Sequence, residues 1–195
     1  SKKIFIMNLS KGRIGEDNSR LLGGMLITKL QLAAMERVDI PREEDRPDFF
    51  LYVDEFQNFA SPSFANILSE ARKYRLSLIM AHQYITQLDE LVANAVFGNV
   101  GTILTFRVGG ADAEVLAKEF TPTFNEYDLV NTERYTAYVK LLVDNTAARP
   151  FNMNAPPPFE SNRELAAMIK ELSRLKYGRD KATVEAEILD RSQIA

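Results

Sequence analysis

The chain has no cysteine and a single histidine, His82. The first absence excludes disulfides, thiolate zinc sites and cysteine nucleophiles together. No stretch approaches the roughly 18 consecutive apolar residues of a membrane helix. Basic charge is not in excess either: 24 Lys+Arg stand against 27 Asp+Glu, for a net of −3 and a pI of about 5.4. A domain that wraps DNA by itself usually carries a basic excess, because phosphate neutralisation drives that binding. Autonomous nucleic-acid binding is therefore not expected, although a ring of copies could present a few basic side chains to a central channel. There is no internal repeat. What remains is 195 residues, 46% hydrophobic and 26% charged, the balance of one main globular domain with room for a small appendage. A cysteine-free composition suits a reducing compartment, and a cytoplasmic location is the expectation. The chain opens on Ser1 with a strand-like run close behind it, as a piece of a longer polypeptide would.

Short apolar runs alternate with stretches of helical period. Ile4 to Leu9 reads as a strand. Leu22, Met25, Leu26, Leu30, Ala33 and Ala34 then repeat at helical spacing between about Asp17 and Arg37. Phe49 to Val53 is an uninterrupted strand, followed by Ser61-Pro62 as a helix N-cap and first turn. Phe64, Ile67, Leu68 and Ala71 fall on one helix face. Leu76 to Met80 is a third strand, and Leu88, Leu91, Val92, Ala95 and Val96 are a further helical stripe that Gly98 should close. Thr102 to Phe106 is a fourth strand. A helix with Ala113, Leu116, Ala117 and Phe120 follows Gly109-Gly110. This alternation predicts an α/β fold, a mostly parallel sheet with helices on both faces. Thr136 to Val143 alternates apolar and polar positions, the pattern of a half-exposed edge strand.

The sheet domain should span residues 1–154, with residues 155–160 a proline-rich linker and 161–195 a helical tail. Ser161 and Glu164 have capping-box spacing. Leu165, Met168, Ile169, Leu172 and Leu175 line one face of the helix beyond, and Gly178 should end it. The tail from Phe159 holds seven acidic and seven basic residues, so the net charge belongs to the sheet domain. Its apolar stripe must dock on that domain or on a partner, and the first is favoured.

Asp54 and Glu55 directly follow the run Phe49–Val53, the form of a Walker B segment. A buried parallel strand delivers its C-terminal residues to the crevice where open α/β sheets bind ligands. The first carboxylate can hold Mg²⁺ through its water shell, and the second can orient and deprotonate an attacking water. The plainer reading is a strand that ends in two solvated acids. Gln83, just past the strand Leu76–Met80, adds a polar group that can meet a γ-phosphate or that water. His82 lacks partners for a metal site, which leaves a packing role.

The block from Tyr52 to Leu88 resembles the Walker B to sensor region of type IV secretion coupling proteins. These are the TraD/TraG/VirD4-like conjugation ATPases of the FtsK–HerA superfamily. The likeness extends to Asn8–Gly12, to Gly98–Gly101, to Phe106-Arg107 and to Tyr135–Val143. It implies a partial RecA-like fold, ATP and Mg²⁺ as cofactors, and a homo-hexameric parent that moves DNA or nucleoprotein, with the fragment itself monomeric. It also implies a parent at the inner face of the bacterial membrane, though this chain has no membrane segment. Carried across by position, Asp54 is the Mg²⁺-water acid, Glu55 the catalytic base and Gln83 the sensor. Arg72 falls where coupling proteins place an arginine finger aimed at a neighbouring subunit. Its plain alternative is a solvated cation balancing a helix end. Arg107 is a second candidate for contacting nucleotide.

One departure qualifies the resemblance. No G-x-x-x-x-G-K-[ST] occurs, and no glycine precedes a lysine, so the amides and lysine that hold phosphates are missing. The chain reads as the C-terminal portion of a longer motor ATPase, inactive by itself. The alternative is a non-catalytic protein-interaction module derived from a RecA-like lobe. A metal-dependent nuclease or phosphatase ranks last, with only Asp112 and Asp128 to join Asp54 and Glu55.

Overall fold

The computed structural model describes residues 3–60 and 62–192. It divides the chain into two compact units, Ser1–Ala155 and Pro156–Ala195. In the first unit a single-turn helix α1 (Lys11–Ile14) leads into α2 (Glu16–Met35), and the strand β1 (Phe49–Val53) follows. Then come α3 (Pro62–Glu70), a 3₁₀ turn at Ala71–Tyr74, β2 (Leu76–Met80) and α4 (Glu90–Asn99). The unit continues through β3 (Ile103–Thr105), α5 (Gly110–Phe120), α6 (Glu126–Val130) and β4 (Thr136–Lys140). It closes with β5 (Leu142–Val143), β6 (Thr146–Ala147) and β7 (Phe151–Asn154).

β1 and β2 pair in parallel, with Phe49 opposite Leu76 and Val53 opposite Met80. The α3 crossover requires this direction. Period-two alternation sends Phe49, Leu51, Val53, Leu76, Leu78 and Met80 to one face. There they meet Ile27 and Ala34 of α2, Phe64 and Ile67 of α3, and Val92 and Val96 of α4 in one apolar cluster. Phe50, Tyr52 and Ile79 lie on the other face and are exposed.

Among the described residues, parallel pairing is confined to these two strands. β3 pairs antiparallel with β4, and β4 antiparallel with β7. A second cluster, with Ala113, Leu116, Ala117, Phe120 and Leu129 buried, packs on Ile103 and Tyr138 of this sheet. The half-buried pair Lys140–Glu119, at 2.7 Å, ties β4 to α5. The expected edge strand Thr136–Val143 is corrected twice. β4 is the central strand of its sheet, with Ala137 and Val139 buried. The run then breaks, and Leu142–Val143 form a separate hairpin with Thr146–Ala147. Asp144 and Asn145 take φ of 48° and 61° at its tip, the pair of positive φ values that a two-residue type I′ turn needs.

Further expectations change locally. Ile4–Leu9 is not a strand: it carries no ladder, and Ile4, Phe5 and Ile6 are exposed. Apolar composition makes a strand only where a partner edge supplies hydrogen bonds. On α2 the buried positions are Ser19, Gly23, Ile27 and Ala34, while Leu22 and Met25 are exposed. The small residues set the packing face, because they allow close approach. Gly98 lies inside α4, which ends at Asn99 and is capped by Val100. Ser61 lies outside the described residues.

The second unit contains α7 (Arg163–Tyr177) and α8 (Lys181–Ser192). Its N-cap is Asn162, whose side chain accepts the Leu165 N–H, one position past the expected Ser161. α7 ends at Gly178.

Candidate functional site

The site gathers where β1 and β2 end. Val53 O accepts the Ala81 N–H at 2.9 Å, and Ala81 O accepts the Phe56 N–H at 3.0 Å. These two bonds lash the turns after both strands together. Phe56 is buried beneath them, 6.0 Å from the Phe64 ring and 5.0 Å from His82. The apolar residue after Asp54-Glu55 thus anchors the turn and leaves both acids on the solvent side.

Glu55 has φ 51°, a left-handed conformation that a residue with a Cβ adopts at a cost. Its carboxylate is held from two directions. Gln57 Nε2 donates to Oε2 at 2.6 Å, and Gln83 Nε2 donates to Oε1. The Glu55 N–H donates to Asp54 Oδ1 at 3.0 Å, and Glu55 O accepts Asn58 Nδ2 at 3.0 Å. The amide donors, Gln57 first and Gln83 next, hold the Glu55 carboxyl below its ordinary pKa, with Lys11 and His82 adding to the effect. At neutral pH it is a carboxylate, the state that can accept a proton, although the same two amide bonds weaken it as a base.

Asp54, Glu55 and Gln83 therefore come together. Gln57 joins them, a residue that strand-end patterning does not mark; its signal is its place two residues past the acid, in a 3₁₀ turn that folds it back. Asp54 is exposed at the strand end. A carboxylate there suits Mg²⁺ held through water, since that ion keeps much of its hydration shell. Among the described residues no three or more His, Cys, Asp or Glu converge on a metal site. His82 packs edge-on against Phe56, and burial lowers its pKa.

Arg72 and Arg107 stand elsewhere. Arg72 is exposed in the turn before β2, whereas Gln83 follows β2. Five residues of strand separate the two ends by about 16 Å, so Arg72 does not join the Glu55 cluster of its own chain. Arg107 is exposed after β3, a strand of the other sheet. Asp112 is buried and accepts the Thr86 N–H at 3.2 Å. Asp128 completes the capping box of α6 with Asn125. Both acids hold local structure, and neither assists a nuclease site.

A cavity of about 1650 Å³ opens beside β1, with Asp54, Glu55, Gln57 and Lys11 among its polar lining and Ile4, Phe5, Leu26 and Leu30 among its apolar lining. It exceeds the roughly 300–1,000 Å³ of small-molecule pockets.

Residues 48–141, which hold the β1–β2 layer and its acids, match the model of a family described as the TraM recognition site of TraD and TraG. Over that segment the chain is TraD/TraG-like. The bacterial conjugative coupling protein TrwBdeltaN70, in its unbound monoclinic form, is similar in structure, with a TM-score of 0.52 and 16% identity over 68% of this chain and 37% of that one. VirB4 of Thermoanaerobacter pseudethanolicus is similar with a TM-score of 0.54 and 19% identity over 76% of this chain and 40% of that one. At such identities the likeness shows the fold, a partial RecA-like α/β layer. The chain spans about two fifths of the length of these structures. A comparison with curated proteins found no match. The TraD/TraG-like segment ends at residue 141, between β4 and β5, before β7 completes the second sheet.

Proposed function

We propose that this chain is the acid-and-sensor portion of a motor ATPase of the conjugation and type IV secretion class, whose assembled hexamer moves DNA or nucleoprotein. The observation that carries the reading is the Glu55 carboxylate, held between Gln57 and Gln83 at the ends of two adjacent parallel strands. A single acid after an apolar strand is common. An acid in a left-handed turn with both oxygens engaged by amides is an arrangement built for a purpose.

In this reading ATP supplies the phosphoanhydride to be cleaved, and Mg²⁺ neutralises the charge that develops. Asp54 holds the water shell of the ion. Glu55 orients the attacking water and takes its proton. Gln83, bonded to Glu55 and followed by the loop into α4, relays the state of the site to the rest of the unit. Arg72 faces outward to serve the nucleotide of a neighbouring subunit, and Arg107 is a further candidate contact. The phosphates need an amide loop and lysine that this chain does not contain, so the longer polypeptide must provide them. Residues 155–160 act as a spacer before the helical tail. The parent works in the cytoplasm, at the inner face of a bacterial membrane. Among the described residues no helix is long and apolar enough to cross one.

The chain by itself should show no ATP turnover. In the longer polypeptide, Glu55→Gln should abolish turnover and leave nucleotide binding intact. Turnover that survives Glu55→Gln overturns the reading.

A second reading, recognition of TraM, is favoured by the description of the matching family. It develops the alternative of a non-catalytic interaction module and makes a TraM protein the partner. Calorimetric titration of this chain with TraM tests it: saturable binding supports recognition, and no heat at high micromolar concentration counts against it.

A further inference from the structure

The turn that carries Arg72 is pinned along its whole backbone. Every carbonyl from Ala71 to Arg75 has a donor. The Arg75 N–H reaches the oxygens of Ala71 and Arg72. Arg46 Nη1 donates to Lys73 O. Arg37 Nη1 donates to Tyr74 O at 3.0 Å and to Arg75 O at 3.4 Å, and the latter also accepts the Phe49 N–H. Both guanidinium groups are themselves fixed. Arg37 also donates to Pro47 O at 2.9 Å and lies over the Phe49 ring, 5.6 Å from its centroid. Arg46 donates to Ile40 O through Nε at 3.2 Å and Nη2 at 3.1 Å. Arg75, with φ 51°, pairs with Asp48 at 2.7 Å.

Two arginines thus give their donors to carbonyls, not to carboxylates, and most of those carbonyls belong to one turn. Ala71 is buried and Tyr74 half-buried, so the turn is seated on the core. Arg72 and Lys73 are left exposed, with no hydrogen bond or ion pair from their side chains among the described residues. A cation on a backbone fixed in advance loses little freedom when it meets its target, which favours binding and positioning alike.

We propose that Arg37 and Arg46 are positioning residues for Arg72, presetting the turn so that its guanidinium meets phosphate oxygens of the nucleotide in an adjoining subunit. The planar fork of Arg72 suits a phosphate, and Lys73 beside it adds positive charge. The inference rests on the motor reading and on Arg72 as a residue acting between subunits.

The test uses the ring-forming parent. Arg72→Ala is expected to lower kcat by about a thousandfold or more, the scale of an arginine finger, and Arg37→Ala and Arg46→Ala to lower it by a large part of that, with KM for ATP nearly unchanged. Arg46→Lys keeps a donor for Lys73 O and should restore part of the rate. Mixing Arg46→Ala subunits with Glu55→Gln subunits should also restore turnover, because a Glu55→Gln neighbour still offers a correctly set Arg72. General destabilisation would not be cured by mixing. If Arg72→Ala leaves kcat unchanged, the role of Arg72 between subunits falls, and the positioning role with it. If Arg72→Ala lowers kcat while Arg37→Ala and Arg46→Ala do not, only the positioning role falls. A loss in Arg46→Ala that mixing cannot restore also overturns it.

Discussion

Glu55 and His82 show opposite uses of the same few ångströms. Glu55 holds its charge at the rim because two amides donate to it, although its backbone is strained. His82 lies partly under the rim, edge-on to Phe56, with Nδ1 buried and unbonded. Burial lowers the His82 pKa, while the Tyr84 backbone, Asp112 and Glu55 pull it up less strongly. The folded imidazole therefore takes its proton at lower pH than the unfolded one, which titrates near 6.5. Its contribution to stability is present above about pH 6.5 and is lost as pH falls through the lower folded value. The urea midpoint of the chain should decline between pH 7 and pH 5, and His82→Gln should flatten that decline. An identical pH profile in the variant would refute the assignment. The depressed carboxyls of Glu55 and Asp48 contribute above their unfolded values, roughly 4.3 and 3.9, and lose that contribution as pH falls further.

At the scale of elements, the seating of α2 decides the shape of the site. Gly23 is buried, and a Cβ there would lie 2.3 Å from Phe59 Cε1 and 3.0 Å from Leu9 Cδ1. Phe59 closes the turn that begins at Glu55, so crowding at Gly23 is passed to the acid. Gly23→Ala should cost about 1–3 kcal/mol in urea denaturation. Gly24→Ala meets nothing within 4 Å and should stabilise by about 0.5–1 kcal/mol, through helix propensity alone. Equal effects of the two changes would show that α2 does not pack through Gly23. Periodicity places Leu22 and Met25 on the inner face, yet both are exposed. It ranks residues by apolarity and cannot see that small side chains admit a closer approach.

The whole molecule is two units of different character. The first has two apolar clusters with fully buried side chains, Phe56, Phe64 and Phe120 among them. The second has no buried residue in either helix. A core of its own is what lets a unit fold by itself, and helices of 12–15 residues without one are marginal in water. A polypeptide of residues 1–155 should keep a cooperative thermal transition, whereas residues 156–195 alone should show weak, gradually melting helicity by circular dichroism. A non-cooperative transition in the first polypeptide would contradict this division.

The sequence alone determined that Phe49–Val53 and Leu76–Met80 are strands ending in Asp54-Glu55 and Gln83. Apolar runs of strand length between helical stripes allow little else. Local periodicity also marked α3, α5 and the inward positions of β4, because each follows from its own residues. Pairing and proximity were decided only by the tertiary structure. Whether Ile4–Leu9 joins a sheet depends on a partner edge. β4 is central because β3 and β7 reach it from distant parts of the chain. Gln57 belongs to the site because the turn after Glu55 folds it back, and Arg37 and Arg46 serve the Arg72 turn across 27 to 38 positions of sequence. Hydrogen bonds between such distant groups leave no periodic trace in a sequence, since they depend on where the core brings the backbone together.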